Sequence, residues 1–153
     1  MEKSLYQPVK TALEVRFIRE FGECYLEITA NKKISDKIKK CFDDIVLHII
    51  NVEGFYPDLM GLIQSKEIIV VEVKEELTLK DIYQAKQYGE IFNAKYTLLI
   101  YSEPLSEEIR RFLEKRPEIL SHSAGSKDVK LARFDKTDND IEEGTWYMSS
   151  PFL

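Results

Sequence analysis

The sequence predicts a mixed α/β domain with a central sheet flanked by helices, in the order helix, three strands, helix, strand, helix (an αβββαβ core). Three observations carry this. The run EIIVVEVK at 67–74 is β-branched and apolar, the strongest strand signal in the chain. A capped amphipathic pattern follows at 78–92, and a second mostly apolar run, YTLLIYS, stands at 96–102. A helix between two such strands is a strand–helix–strand crossover, which needs a sheet to cover.

Taken in order, the first helix opens at Pro8, whose missing N–H has no partner in a first turn anyway. Val9, Ala12, Leu13, Phe17 and Phe21 recur at helical spacing, and Gly22 supplies a stop. CYLEIT at 24–29 fits a short strand or a further helical turn, with Leu26 and Ile28 alternating. ISDKIKKCF at 34–42 reads as a short basic helix capped by Ser35. IVLHII at 45–50 is read as the first strand of an antiparallel meander, YPDLMGLI at 56–63 as the second, after a turn at Glu53-Gly54, and EIIVVEVK as the third. Gln64, Ser65 and Lys66 form the hairpin turn between the last two. Thr78 caps the next helix, with Asp81 completing a capping-box-like pair, and Leu79, Ile82, Ala85 and Phe92 form its buried face. Pro104–Arg116 is a further amphipathic helix ended by Pro117, and VKLARF at 129–134 a small strand. Residues 124–128 and 135–144 are polar and glycine-containing, and read as loops or mobile tail. Residues 1–134 thus form the domain. Residues 135–153 form an acidic tail, with Trp146, Tyr147 and Phe152 available to dock as a terminal strand or a dimer contact.

Composition narrows the chemistry. A chain of 153 residues with 44% hydrophobic and 11% aromatic residues can bury a core as one globular domain. No stretch is long or apolar enough to span a bilayer and no signal peptide is evident, so a cytoplasmic location is expected. Cys24 and Cys41 lie in no CxxC pair and are expected to be free, partly buried thiols. His48 and His122 stand beside no nucleophile motif, which leaves a histidine triad or zinc site without support. The net charge of −5 argues against tight non-specific DNA binding by a monomer. It does not exclude a local site, whose field is set by its own groups and any bound cation.

The residues that carry chemistry cluster in the meander. Strand side chains alternate faces, so Glu72 and Lys74 point one way while Val71 and Val73 point the other. Asp58 lies on the preceding strand beside Pro57, and a hairpin at 64–66 would bring it toward Glu72. Two converging carboxylates suit a hard divalent cation such as Mg²⁺. A neighbouring lysine suits orientation of a water or stabilisation of negative charge during phosphodiester hydrolysis. The plainer alternative is a surface Glu72–Lys74 ion pair with Asp58 in a turn.

YPDLMGLI followed by VVEVK resembles the PD-(D/E)xK superfamily of restriction-endonuclease-like nucleases. Pro57-Asp58 matches the first half-motif and Glu72-Val73-Lys74 the second. Gln84 and Tyr88, one turn apart on the next helix, are similar to the glutamine and tyrosine of RecB-like members; Holliday-resolvase-like and Mrr-like members are also similar. The resemblance covers residues 8 to about 116 and implies a restriction-endonuclease-like core. It implies a Mg²⁺-dependent deoxyribonuclease (Mn²⁺ substituting), more an endonuclease than an exonuclease. Asp58 and Glu72 would be metal ligands, and Lys74 and Gln84 would join them as catalytic residues. DNA is the implied partner, and a homodimer is expected because one site cuts one strand. Glu14 and Glu20 are candidates for a further acid from the first helix. Lys32, Lys33, Lys37, Lys39 and Lys40 are a candidate phosphate-contacting patch, with a solvated lysine-rich face as the plainer reading. The alternative from another class is a catalytically silent protein of the same fold that binds nucleic acid or a partner protein.

Overall fold

The computed structural model describes residues 2–121, 128–147 and 150–152. It is α/β, with six strands in the order β1-β2-β3-β4-β5-β6. After a 3-10 turn at Glu2–Leu5 come α1 (Tyr6–Phe21), β1 (Cys24–Ile28), α2 (Asp36–Lys39) and α3 (Asp44–Glu53). Then follow β2 (Leu59–Ile63), β3 (Glu67–Lys74), α4 (Leu79–Ile91), β4 (Tyr96–Tyr101), α5 (Glu107–Lys115), β5 (Val129–Asp135) and β6 (Asp140–Ile141). β1, β2 and β3 form an antiparallel meander; β4 joins β3, and β5 joins β4, in parallel; β6 returns antiparallel to β5.

The meander differs from expectation in its first strand. IVLHII is not a strand but the body of α3, and β1, within CYLEIT, takes its place. Helix wins over the β propensity of these residues because both ends are capped. The Asp43 side chain accepts the Val46 N–H at 2.9 Å, and Gly54 closes the helix at φ 72°, a left-handed position that suits glycine. Only Ile50 of α3 is buried, while Ile45 and Val52 are 71% and 64% exposed, so one apolar stripe meets the core and another faces out.

Other boundaries shift for local reasons. α1 begins at Tyr6, and Pro8 still sits among the first four residues, whose N–H groups have no helical acceptor. Ser35 occupies the N-cap position of α2, yet its hydroxyl donates to Glu27 Oε1 at 2.5 Å instead of capping. α5 starts at Glu107 because Ser106 Oγ accepts the Ile109 N–H at 3.2 Å. The three residues 64–66 make a tight turn between Ile63 and its partner Glu67, with Gln64 and Ser65 both at positive φ (53° and 61°). Asp81 Oδ2 accepts from both the N–H and the hydroxyl of Thr78, at 2.8 and 2.9 Å, which fixes the first turn of α4.

The 135–144 stretch is not loop throughout. Asp135 belongs to β5, Asp140 and Ile141 form β6, and a 3-10 turn follows at Glu143–Thr145. Arg16 of α1 binds both Asp140 and Glu143. Tyr147 bridges to Leu131, and the rings of Trp146 and Phe152 pack against the α1 core, Phe152 lying 4.8 Å from Phe17 between centroids.

The sheet has a core on each face. Val9, Leu13 and Phe17 of α1 cover Leu59, Ile63, Ile69, Val71, Val73, Leu98 and Ile100. On the opposite face Met60, Leu62, Ile68 and Val70 meet Tyr88 and Phe92. This parity puts Glu72 and Lys74 on the α4 side of β3.

Candidate functional site

The site lies at one end of the sheet, where β2 begins, β3 ends and α4 starts. The β2–β3 ladder pairs Leu59 with Val71, so one step further along it Asp58 stands opposite Glu72, on the same face. Asp58 is anchored by its neighbours on both sides. Its carbonyl accepts the N–H groups of Thr29 and Ala30 at 2.9 and 3.2 Å, and the buried Thr29 hydroxyl donates to the Pro57 carbonyl. Its Oδ2 accepts the Val73 N–H at 2.8 Å, so the carboxylate continues the ladder where the β2 backbone has turned away. Its Oδ1 accepts the Tyr6 hydroxyl at 3.1 Å.

Glu72 is 4% exposed, and its carboxyl hydrogen-bonds to that of Asp58. Burial, then the hydrogen bond and charge of Asp58, hold the Glu72 carboxyl well above the ordinary glutamate range, despite the opposing pull of Lys74. Two carboxyls in contact cannot both ionise at low cost, so the pair holds on to a proton above the ordinary carboxylate range. Burial acts to lower the Lys74 ammonium, but the charges of Glu2, Asp81, Glu72 and Asp58 outweigh it and raise its pKa. Glu2 and Asp81 carboxylate oxygens lie 4.0 and 3.7 Å from Lys74 Nζ. Lys74 therefore places a positive charge beside the acidic pair.

Gln84 and Tyr88 also face this end. Gln84 Nε2 donates to the Tyr88 hydroxyl at 3.4 Å. Burial first, then the charge of Glu72, raises the Tyr88 pKa, so its phenol keeps its proton beside the acidic pair. The structure thus brings Asp58, Glu72 and Lys74 together, with Gln84 and Tyr88 at their border.

Glu14 and Glu20 do not join this group. Glu14 is taken up by Lys10 at 2.9 Å and by the Leu26 N–H at 3.3 Å, while Glu20 lies on the last turn of α1, near Tyr96. The groups that sequence reasoning missed are Tyr6, Glu2 and Thr29; Asp81 was read only as a cap. Local pattern carries no signal for Tyr6, which meets its partner across 52 positions.

Of the lysine patch, Lys32, Lys33, Lys37 and Lys40 are exposed, and Lys37 lies over the Tyr25 ring at 4.2 Å from its centroid. Cys24 and Cys41 are free, Cys24 half-buried and Cys41 exposed rather than partly buried. His48 is exposed, and His122 lies outside the described residues. No helix among the described residues is long and apolar enough to cross a membrane.

Among the described residues no group of three or more His, Cys, Asp or Glu side chains is placed to hold a metal ion, so Asp58 and Glu72 stand as a pair of oxygen donors. Mg²⁺ is commonly held by one or two carboxylates, with water and phosphate oxygens completing its shell, and such a pair meets that need. Compared with family models, curated proteins and solved structures, the chain matches none of them.

Proposed function

We propose that the chain is a metal-dependent nuclease of the restriction-endonuclease-like type, hydrolysing DNA phosphodiester bonds. The observation that carries this reading is the placement of Asp58 opposite Glu72, with the charged Lys74 on the same strand face. A lone surface ion pair gives no reason to bury Glu72 against a second carboxyl.

The donor set fits Mg²⁺ or Mn²⁺: Asp58 and Glu72 would hold it, Glu72 giving up its proton. A divalent ion bound there supplies polarisation of the phosphate and a water of lowered pKa. The chain's own groups do the rest. Lys74, kept protonated by Glu2 and Asp81, donates to a phosphate oxygen and offsets the charge that develops on it as water attacks. The Val73 N–H and Tyr6 hydroxyl fix the Asp58 carboxylate. Gln84 orients the Tyr88 phenol at the border of the site.

The test is incubation with plasmid, linear, branched and single-stranded DNA, with Mg²⁺ or Mn²⁺ and with EDTA. Cleavage is expected only with metal, and Lys74→Ala is expected to abolish it while leaving the fold intact. Cutting that survives in EDTA removes the metal from the reaction; cutting that survives in Lys74→Ala removes Lys74. One observation favours a second reading, a silent protein of the same fold that binds nucleic acid or a partner protein: the net charge of −5, which disfavours a phosphate-tracking surface. Failure to cut any of the four substrates with either metal would favour it, and DNA retention in the same assay would then separate a nucleic acid from a partner protein as the ligand.

A further inference from the structure

Tyr6 is the first residue of α1 and packs, partly buried, against the core that Val9, Leu13 and Phe17 form with the sheet. A tyrosine in that position needs only its ring to fill space against the core. Here the hydroxyl also reaches the start of β2, 52 positions away, and donates to Asp58 Oδ1 at 3.1 Å. Val73 occupies the other oxygen, Oδ2, at 2.8 Å. Asp58 therefore has a separate donor on each oxygen, one from the β3 backbone and one from α1, which sets both the position and the rotation of its carboxylate plane. The same N-terminal segment places Glu2 4.0 Å from Lys74 Nζ. The entrance to α1 thus touches both the acidic and the basic members of the site.

We propose that Tyr6 is a positioning residue of the site: its phenol holds the Asp58 carboxylate in the orientation that Glu72 and a divalent cation require. This inference rests on the nuclease reading, because it concerns the metal named there. A donor behind a metal-binding carboxylate limits its rotation before the ion arrives, so less ordering remains for binding to supply. A phenol suits the task across the working pH range. A tyrosine hydroxyl ordinarily titrates at about 10, so it keeps the donated proton at neutral pH.

The plain alternative is that the bond only ties α1 to the sheet, and thermal scans of wild type, Tyr6→Phe and Asp58→Asn with and without millimolar Mn²⁺ separate the two. Phenylalanine keeps the ring and deletes the hydroxyl. If Tyr6 positions Asp58, Mn²⁺ affinity from titration of the melting shift falls roughly 10- to 100-fold in Tyr6→Phe, the range usual for loss of a residue behind a metal ligand. The metal-dependent rise in melting temperature shrinks accordingly, and in Asp58→Asn it disappears. A merely structural bond predicts an equal drop in melting temperature with and without Mn²⁺, and an unchanged affinity. That result, or a tighter affinity, overturns the role of Tyr6 and leaves the metal reading standing. If the wild type itself shows no Mn²⁺-dependent rise, the metal reading falls and takes the Tyr6 role with it. Should Tyr6→Phe melt too low for comparison, calorimetric titration of Mn²⁺ at low temperature reads the same affinity directly.

Discussion

At the scale of single residues the consequential group is Glu72. Burial, with the hydrogen bond and charge of Asp58, raises its pKa on folding. A carboxyl raised in this way contributes stability that is complete below its unfolded pKa, about 4.3, and that is lost as pH rises toward the folded value. Metal-free protein is therefore expected to lose stability from about pH 4.3 upward, at a slope of at most about 1.4 kcal/mol per pH unit from this one group. Glu72→Gln keeps a donor for Asp58 without the ionisation, so it is expected to flatten that slope and to be the more stable protein at neutral pH. Urea denaturation of both proteins between pH 5 and 8 checks this, and equal slopes would show that Glu72 is not the titrating group. The same proton couples to metal. An ion that needs Glu72 ionised must displace it, so Mn²⁺ affinity is expected to rise with pH, with one proton released per ion in titrations across buffers of different ionisation enthalpy.

At the scale of elements, β2 shows how closely the sheet is built at the site. Gly61 lies in the middle of β2, paired with Leu26 on one side and Ile69 on the other. A Cβ added there would fall on the Tyr25 carbonyl and the Leu26 side chain, closer than real Cβ atoms approach. The obstacle is partly backbone, so β1 would have to move, and β1 is the strand that leads to the Thr29 N–H holding the Asp58 carbonyl. Gly61→Ala is expected to cost about 3 kcal/mol or more, at or beyond the upper end of ordinary overpacking, and to weaken Mn²⁺ binding as well. Chemical denaturation measures the first effect; a loss under about 1 kcal/mol would mean that β1 yields more easily than its pairing implies.

At the scale of the whole molecule, the segment after β5 closes the fold onto α1. β6, the acids that bind Arg16, and the Trp146 and Phe152 rings all come from beyond residue 135. Arg16 is only 12% exposed, so removing its partners leaves a half-desolvated guanidinium as well as an uncovered Phe17. A chain ended after Phe134 is expected to lose on the order of 3 kcal/mol or more of stability, from the aromatic packing alone. Denaturant midpoints of the two chains decide it: a truncated protein within about 0.5 kcal/mol of the full chain would return this segment to the status of a tail.

What the sequence by itself determined is what short-range physics controls. The β3 run, the Thr78–Asp81 start of α4 and the crossover to β4 follow from propensity, capping and period. So does the shared face of Glu72 and Lys74, because alternation along a strand is local. The β-branched run at 45–50, followed by a turn at Glu53-Gly54, points to a strand instead of a helix. The caps at both ends outweigh that propensity, and Ile50 then packs into the core on the α4 face. Only the tertiary structure decided the pairing of β1 with β2, the meeting of Asp58 with Glu72, the reach of Tyr6 to Asp58 and the return of β6 and Trp146 to α1. Each depends on contacts between distant parts of the chain. Their register is fixed by the burial of whole faces, which no local pattern contains.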